Sequence, residues 1–263
     1  MAKFFTLASS SSGNSYYLGS CGQNLLIDAG ISSRAIVSAL ESRNIEPESL
    51  AGILITHEHI DHVKGLSVFL SRYSIPVYAS SAVLNFLLNN HLVPPDAHLC
   101  ELDEHGELIG NMMVVPFCTS HDSVGSFGYR ITTADDIKVA VCTDTGYLTN
   151  EAKNGLFGCQ VVLIESNYDK NMLDAGPYPY SLKRRIAGEK GHLSNTDCAS
   201  FLPELVRHGT THFVLAHLSK ENNYPALAIE TSVSELSLAG FQRDKDYLLF
   251  AAPRSELSET IVL

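Results

Sequence analysis

His57-Glu58-His59-Ile60-Asp61-His62 follows a continuously apolar run, residues 51–56, and precedes a segment that reads as helix to about residue 73. An unbroken apolar run of that length predicts a central strand buried on both faces. The turn that follows therefore presents three imidazoles and a carboxylate in one place. Such crowding is costly without a cation, and imidazole nitrogen and carboxylate oxygen suit zinc, manganese or iron. A histidine-rich solvent loop is the bland alternative, and the strand-turn-helix context weighs against it.

Working outward, three more candidate ligands stand at the ends of apolar runs: His121 after 112–118, Asp144 after 137–142 and His217 after 212–216. Taken singly, a histidine at a strand end is as readily a structural hydrogen-bonding group. Taken together, the three complete two sites. The N-terminal portion predicts short strands at 3–7, 15–18 and 24–28, with a turn at 9–14 and a helix from Ser32 or Ser33 to about 43. A strand at 76–79 and a helix at 80–90 follow. Strands are expected again at 112–117, 127–133, 137–142 and 161–165, with residues 134–136 turning a hairpin. The remainder predicts helix 195–208, strand 212–216, helix 225–238 and strand 247–251. This order gives an α/β fold, a four-layer αββα sandwich built from two βα halves, in a single domain spanning residues 1–263.

The chain carries 29 acidic and 18 basic residues, a formal charge of −11, which opposes general adhesion to nucleic acid or anionic membrane. A polyanionic substrate would have to be bound locally. Four of the 18 basic residues, Lys183, Arg184, Arg185 and Lys190, fall within eight positions, where guanidinium forks suit phosphate oxygens and a solvated helix face is the alternative. His192 lies just beyond, before a helix that Ser194 or Asn195 can cap, and a helix N-terminus favours anions. We expect His192 to act as the acid for a leaving group. Ser12 and Asn14, in the turn at 9–14, could offer backbone amides to phosphate, or form a plain surface turn. Asn167 and Asp169 are weaker candidates; His91, His98, His105, His208 and His212 lack motif context.

Six cysteines without a Cys-x-x-Cys pair read as reduced, mostly buried thiols. The first seven residues are too short an apolar stretch for a signal peptide, and no run approaches the ~18 residues of a membrane span. A cytoplasmic protein with no membrane partner is expected. Monomer and homodimer are equally compatible with the residues.

Asp28, the His57 to His62 run, His121, Asp144 and His217 match in order the five motifs of the metallo-β-lactamase superfamily, which the sequence resembles over nearly its whole length. The resemblance implies two divalent ions, zinc or manganese. One would be held by His57, His59 and His121, the other by Asp61, His62 and His217, with Asp144 bridging both. It also implies that Asp28 orients a ligand histidine and that Asp61 shares the catalytic role with His192. The bridging aspartate, absent from the lactamases themselves, points to phosphodiester hydrolysis.

Ser12-Gly13-Asn14-Ser15, Cys142-Thr143-Asp144-Thr145-Gly146, Glu165-Ser166-Asn167-Tyr168-Asp169, Gly191-His192-Leu193-Ser194-Asn195 and Leu215-Ala216-His217-Leu218-Ser219 narrow the resemblance to the YycJ (WalJ) branch. That branch is similar to ribonuclease Z and to cyclic-phosphate phosphodiesterases. It implies a 5′ to 3′ DNA exonuclease in which a metal-bridging hydroxide attacks phosphorus. DNA is favoured over RNA as substrate, and contacts are expected from Ser12, Asn14, Lys183, Arg184, Ser194 and Asn195. No β-CASP or exosite domain is recognised, so the loops are expected to supply substrate grip. The rival activity is thioester or lactone hydrolysis of the glyoxalase II kind, and a rival of another class is a metal-binding regulator or electron-transfer partner.

Overall fold

The first three strands, β1 (Lys3–Ser10), β2 (Gly13–Ser20) and β3 (Gln23–Ile27), form an antiparallel meander in a computed structural model that describes residues 1–263. The sheet continues in parallel through β4 (Leu50–Leu54), β5 (Val77–Ala79) and β6 (Leu99–Glu101). A second sheet repeats the plan. β7 (Glu107–Ile109), β8 (Met112–Cys118), β9 (Phe127–Thr132) and β10 (Lys138–Cys142) pair antiparallel. β11 (Val161–Glu165), β12 (His212–Ala216) and β13 (Leu248–Ala251) then add in parallel to β10.

Strand alternation decides the layering, because successive side chains point to opposite faces. Phe4, Leu25, Ile27, Val139 and Val141 face the other sheet and fill the inner core. Phe5, Leu26 and Ile53 face outward onto α1 (Ser33–Glu41), α3 (Leu66–Leu70) and α4 (Ser81–Asn89) through Ile36, Leu40, Phe69 and Leu84. On the far side Ala140, Val162 and Phe213 face α5 (Asn150–Leu156), α8 (Asn195–Arg207) and α9 (Pro225–Leu238). The result is the expected four-layer αββα sandwich.

Several boundaries differ from the sequence reading. The turn expected at 9–14 shrinks to Ser11 and Ser12, because Ser9, Ser10 and Asn14 are buried and paired within the strands. The helix expected to run to residue 73 breaks into α2 (Ile60–Val63) and α3 at Gly65. There the backbone N–H of Gly65 donates to Ala29 O at 2.8 Å, and a Cβ would lie 2.0 Å from Ile31 O, so tertiary contact overrides helix continuity. Two short helices went unread, α5 and α6 (Lys170–Ala175), and the solvated helix face weighed for the basic run is present as α7 (Tyr180–Ile186). Also unread is β14 (Ile261–Val262), which pairs outside β1. Of the six cysteines, all free, only Cys142, Cys159 and Cys198 are buried, because Cys21 and Cys118 stand at strand ends open to solvent. No helix is long and apolar enough to cross a membrane.

The parallel strands of both sheets end at one rim, where loops from an α/β sheet converge on a ligand. Gly30 sits at this rim with no room for a side chain: a Cβ would lie 1.7 Å from Asp61 O and 2.7 Å from Asn14 N. Gly30→Ala must therefore move the Asp61 backbone. We expect a loss of about 3 kcal/mol in urea unfolding, whereas an unchanged midpoint would show that this close approach is dispensable.

Candidate metal centre

Asp28 follows β3 with a left-handed φ of 62° and is fully buried. Its Oδ1 accepts from Thr56 N at 2.8 Å, and its Oδ2 accepts from His62 Nδ1 at 2.7 Å. One carboxylate thus joins the end of β3, the end of β4 and α2. It also fixes the His62 tautomer, so that Nε2 is the free nitrogen. That nitrogen lies 3.2 Å from Asp144 Oδ2, 3.6 Å from Asp61 Oδ2 and 3.0 Å from Asn14 Nδ2.

The same arrangement recurs at the other histidines. His121 donates Nδ1–H to Gly191 O at 3.0 Å, leaving Nε2 3.3 Å from His59 Nδ1. His217 donates Nδ1–H to Glu165 Oε1 at 2.8 Å, leaving Nε2 3.4 Å from Asp61 Oδ2. Asp144 and His217 each follow a strand with a left-handed φ of 56°. Such backbone costs about 1–3 kcal/mol per residue and persists only where surrounding contacts impose it.

These constraints bring candidate ligand atoms within 4.8 Å of one another in four sets: His57, His59 and His121; Asp61, His62 and His217; His57, His62 and Asp144; and Asp144, Glu165, His192 and His217. Buried His57 Nε2 and Asp144 Oδ2 make no hydrogen bond. Buried polar atoms of native proteins nearly always find partners, and orphaned atoms aimed into a cluster of nitrogen and oxygen donors fit cations. Ligand imidazoles held by a second hydrogen bond are what a metal site requires.

The electrostatics agree. Burial opposes charge on His62 and His217, yet the carboxylates of Asp28 and Asp144 for the first, and Asp144 and Glu165 for the second, raise both pKa values well above the histidine norm. Burial, with the neighbouring imidazoles, pushes His57 well below it. Asp144 is held well below the usual carboxylate range because His217 and His62 outweigh its burial. The centre attracts positive charge.

His192 lies on the rim of this cluster, its ring 5.2 Å from those of both His121 and His217. Glu165 Oε1 accepts from His192 Nδ1 at 2.8 Å, the same oxygen that serves His217. Glu165 Oε2 accepts from the backbone N–H groups of Thr145 and Leu193 at 2.9 and 3.2 Å. Sequence reasoning gave Glu165 no role. Its signal was the one that found Asp144 and His217: a polar residue terminating an apolar run, here as the last residue of β11.

The expected substrate contacts divide. Asn14 reaches the cluster, through its side chain rather than its backbone amide. Ser12 is exposed at the β1–β2 turn and outside the cluster. Ser194 caps α8 by accepting from Asp197 N at 3.2 Å, and Asn195 exchanges hydrogen bonds with Asn223, so both are tied into the fold. Lys183 Nζ donates to Asp174 O, and Arg184 is exposed on α7, a helix with no buried residue. Arg185 grips Asp122 through two bonds of 2.6 and 3.1 Å. Asn167 Nδ2 donates to His217 O at 2.7 Å, and Asp169 caps α6.

Replacing Asp28 with Asn keeps its shape and removes the charge facing His62. Divalent-ion affinity measured by calorimetric titration should fall about 10- to 100-fold, and unaltered affinity would contradict the orienting role.

The chain matches the Beta-lactamase superfamily domain over residues 23–218. It is 37% identical over 236 residues to Exodeoxyribonuclease YycJ of Bacillus anthracis, covering 89% of this chain and 88% of that protein. It is 37% identical over 251 residues to Exodeoxyribonuclease WalJ of Streptococcus pneumoniae, covering 94% and 93%. Among solved structures, the metallo-β-lactamase fold protein YhfI of Bacillus subtilis superposes with a TM-score of 0.72 at 14% identity, covering 98% of each chain. Fold, site geometry and sequence identity agree, and the chain belongs to the β-lactamase superfamily, in the family that includes the YycJ and WalJ proteins.

Proposed function

We propose that this single-domain chain is a dinuclear metal-dependent phosphodiesterase that removes nucleotides from the 5′ end of DNA. The observation that carries the reading is the position of Asp144, within ligand distance of His57 and His62, with His57, His59 and His121 on one side and Asp61, His62 and His217 on the other. The named exodeoxyribonuclease relatives, matched over nearly their full length, support DNA as the substrate. Three imidazoles on one side and two imidazoles with a carboxylate on the other suit zinc or manganese. Six unpaired thiols suit a reducing compartment such as the cytoplasm.

When bound, a pair of divalent ions supplies an acidified water and stabilises charge on the phosphoryl oxygens. The chain's own residues do the rest. Asp28, Glu165 and the carbonyl of Gly191 hold His62, His217 and His121 in single orientations, so the donor atoms need not reorganise during reaction. His192 holds its Nδ1–H on Glu165, which leaves Nε2 to carry the proton for the departing alkoxide. Asn14 Nδ2, beside His62 and Asp61, is placed to donate to a phosphoryl oxygen. Arg184, exposed on α7 in the segment that leads to His192, adds positive charge that suits an anionic substrate better than a thioester.

Two measurements test this. His192→Ala should lower kcat on DNA about 10²- to 10⁴-fold with metal content retained, and should lower it far less on a bis(p-nitrophenyl) diester, whose leaving group needs no proton. Equal losses on both substrates, or turnover of thioesters and not of phosphodiesters, would overturn the reading. Glu165→Gln should lower kcat at least as much, because Glu165 also holds His217, and adding His192→Ala to it should cost little more, because residues acting as one unit are not additive. Additive losses would separate the two roles.

A further inference from the structure

A groove of about 670 Å³ is lined by the β1–β2 turn, the solvent-facing side of α1 and three loops that carry Lys64, Lys220 and Arg254. Six of its 16 lining residues are serines and none is Asp or Glu. In a chain with 29 acidic and 18 basic residues, an acid-free surface with three cations is a local reversal of charge. None of the three cations pairs with a carboxylate; Arg254 Nη2 instead donates to Ser219 O at 2.5 Å, which anchors its guanidinium at the groove wall.

No candidate ligand lines the groove, but its walls are joined to the metal centre by short stretches of chain. Lys64 stands two residues after His62, and Lys220 three after His217. At its floor Gly13 leaves no space between strand and loop, since a Cβ would lie 2.8 Å from Gly30 O, and Gly30 N donates to Asn14 O at 2.8 Å. Asn14 in turn touches His62 and Asp61. His192 borders the cluster elsewhere, at His121 and His217. On that flank Arg185 is neutralised by Asp122, and Lys183 is bonded to a carbonyl. Arg184 and Lys190 are exposed there without a carboxylate partner, whereas the groove gathers three such cations on one acid-free surface.

We propose that this groove binds the backbone of the retained DNA strand, with Lys64, Lys220 and Arg254 on successive phosphates, while the departing nucleotide occupies the His192 flank; this rests on the nuclease reading above. Lysine, arginine and serine hydroxyls donate to phosphate, and contacts to phosphate carry no sequence information. The groove contains no aromatic side chain on which a base could stack, so binding there is sequence-independent and salt-sensitive.

The test uses the full chain loaded with manganese and a 5′-phosphorylated single strand of about 16 nucleotides. Lys64→Glu combined with Lys220→Glu should raise KM about tenfold or more, with the loss in KM rather than in kcat. The slope of log KM against log salt concentration should shrink by about 1.4, the change expected for two phosphate contacts on a single strand. Lys64→Arg with Lys220→Arg should keep wild-type KM and slope. If the wild type digests DNA but the glutamate pair leaves KM and slope unchanged, or if Arg184→Glu alone reproduces the effect, the groove does not hold the strand. A wild type that hydrolyses a small diester and no DNA would remove the nuclease reading itself.

Discussion

Three fully or nearly buried carboxylates, those of Asp28, Asp144 and Glu165, face six histidines at the rim where two sheets meet. Burying one ionised carboxylate costs several kcal/mol unless its charge is met at close range. The protein meets part of that cost by raising the proton affinity of His62 and His217. A proton on His62 neutralises charge at Asp144 but leaves His57 Nε2 without a partner, which a divalent cation among these donors would supply. Much local geometry answers to this one constraint. It includes left-handed backbone at Asp28, Asp144 and His217, a glycine pressed against the Asp61 carbonyl, and a helix broken at Gly65.

The candidate ligands were legible in the sequence because each ends an apolar strand or follows one directly, and the fold gathers strand ends. The layers were legible for a related reason: alternation in β1, β3 and β10 separates an inner from an outer face. Glu165 carried the same signal, but as the last residue of β11 it could be taken for part of the strand. Its role depends on His192 and His217, 27 and 52 positions away. The short helices α5 to α7 bury few side chains, so their sequences show no face on which a periodicity could appear. β14 has two residues and exists only through pairing with β1 at the other end of the chain.

Charge shows the limits of reading along the chain most clearly. The basic run at Lys183 to Lys190 is conspicuous in sequence, yet one of its arginines is paired with Asp122, 63 positions earlier. Lys64, Lys220 and Arg254 are each isolated in sequence and come together only when loops from both halves of the sandwich meet beside Gly13. Local density of one residue type was therefore a poor guide to where free charge accumulates.

Anomalous diffraction from crystals of the manganese- or zinc-loaded protein, collected across the metal edge, tests the central claim most directly. The account predicts two peaks about 3.5–4 Å apart, flanking Asp144, one within reach of His57, His59 and His121 and the other of Asp61, His62 and His217. A single peak, or density away from Asp144, would contradict it.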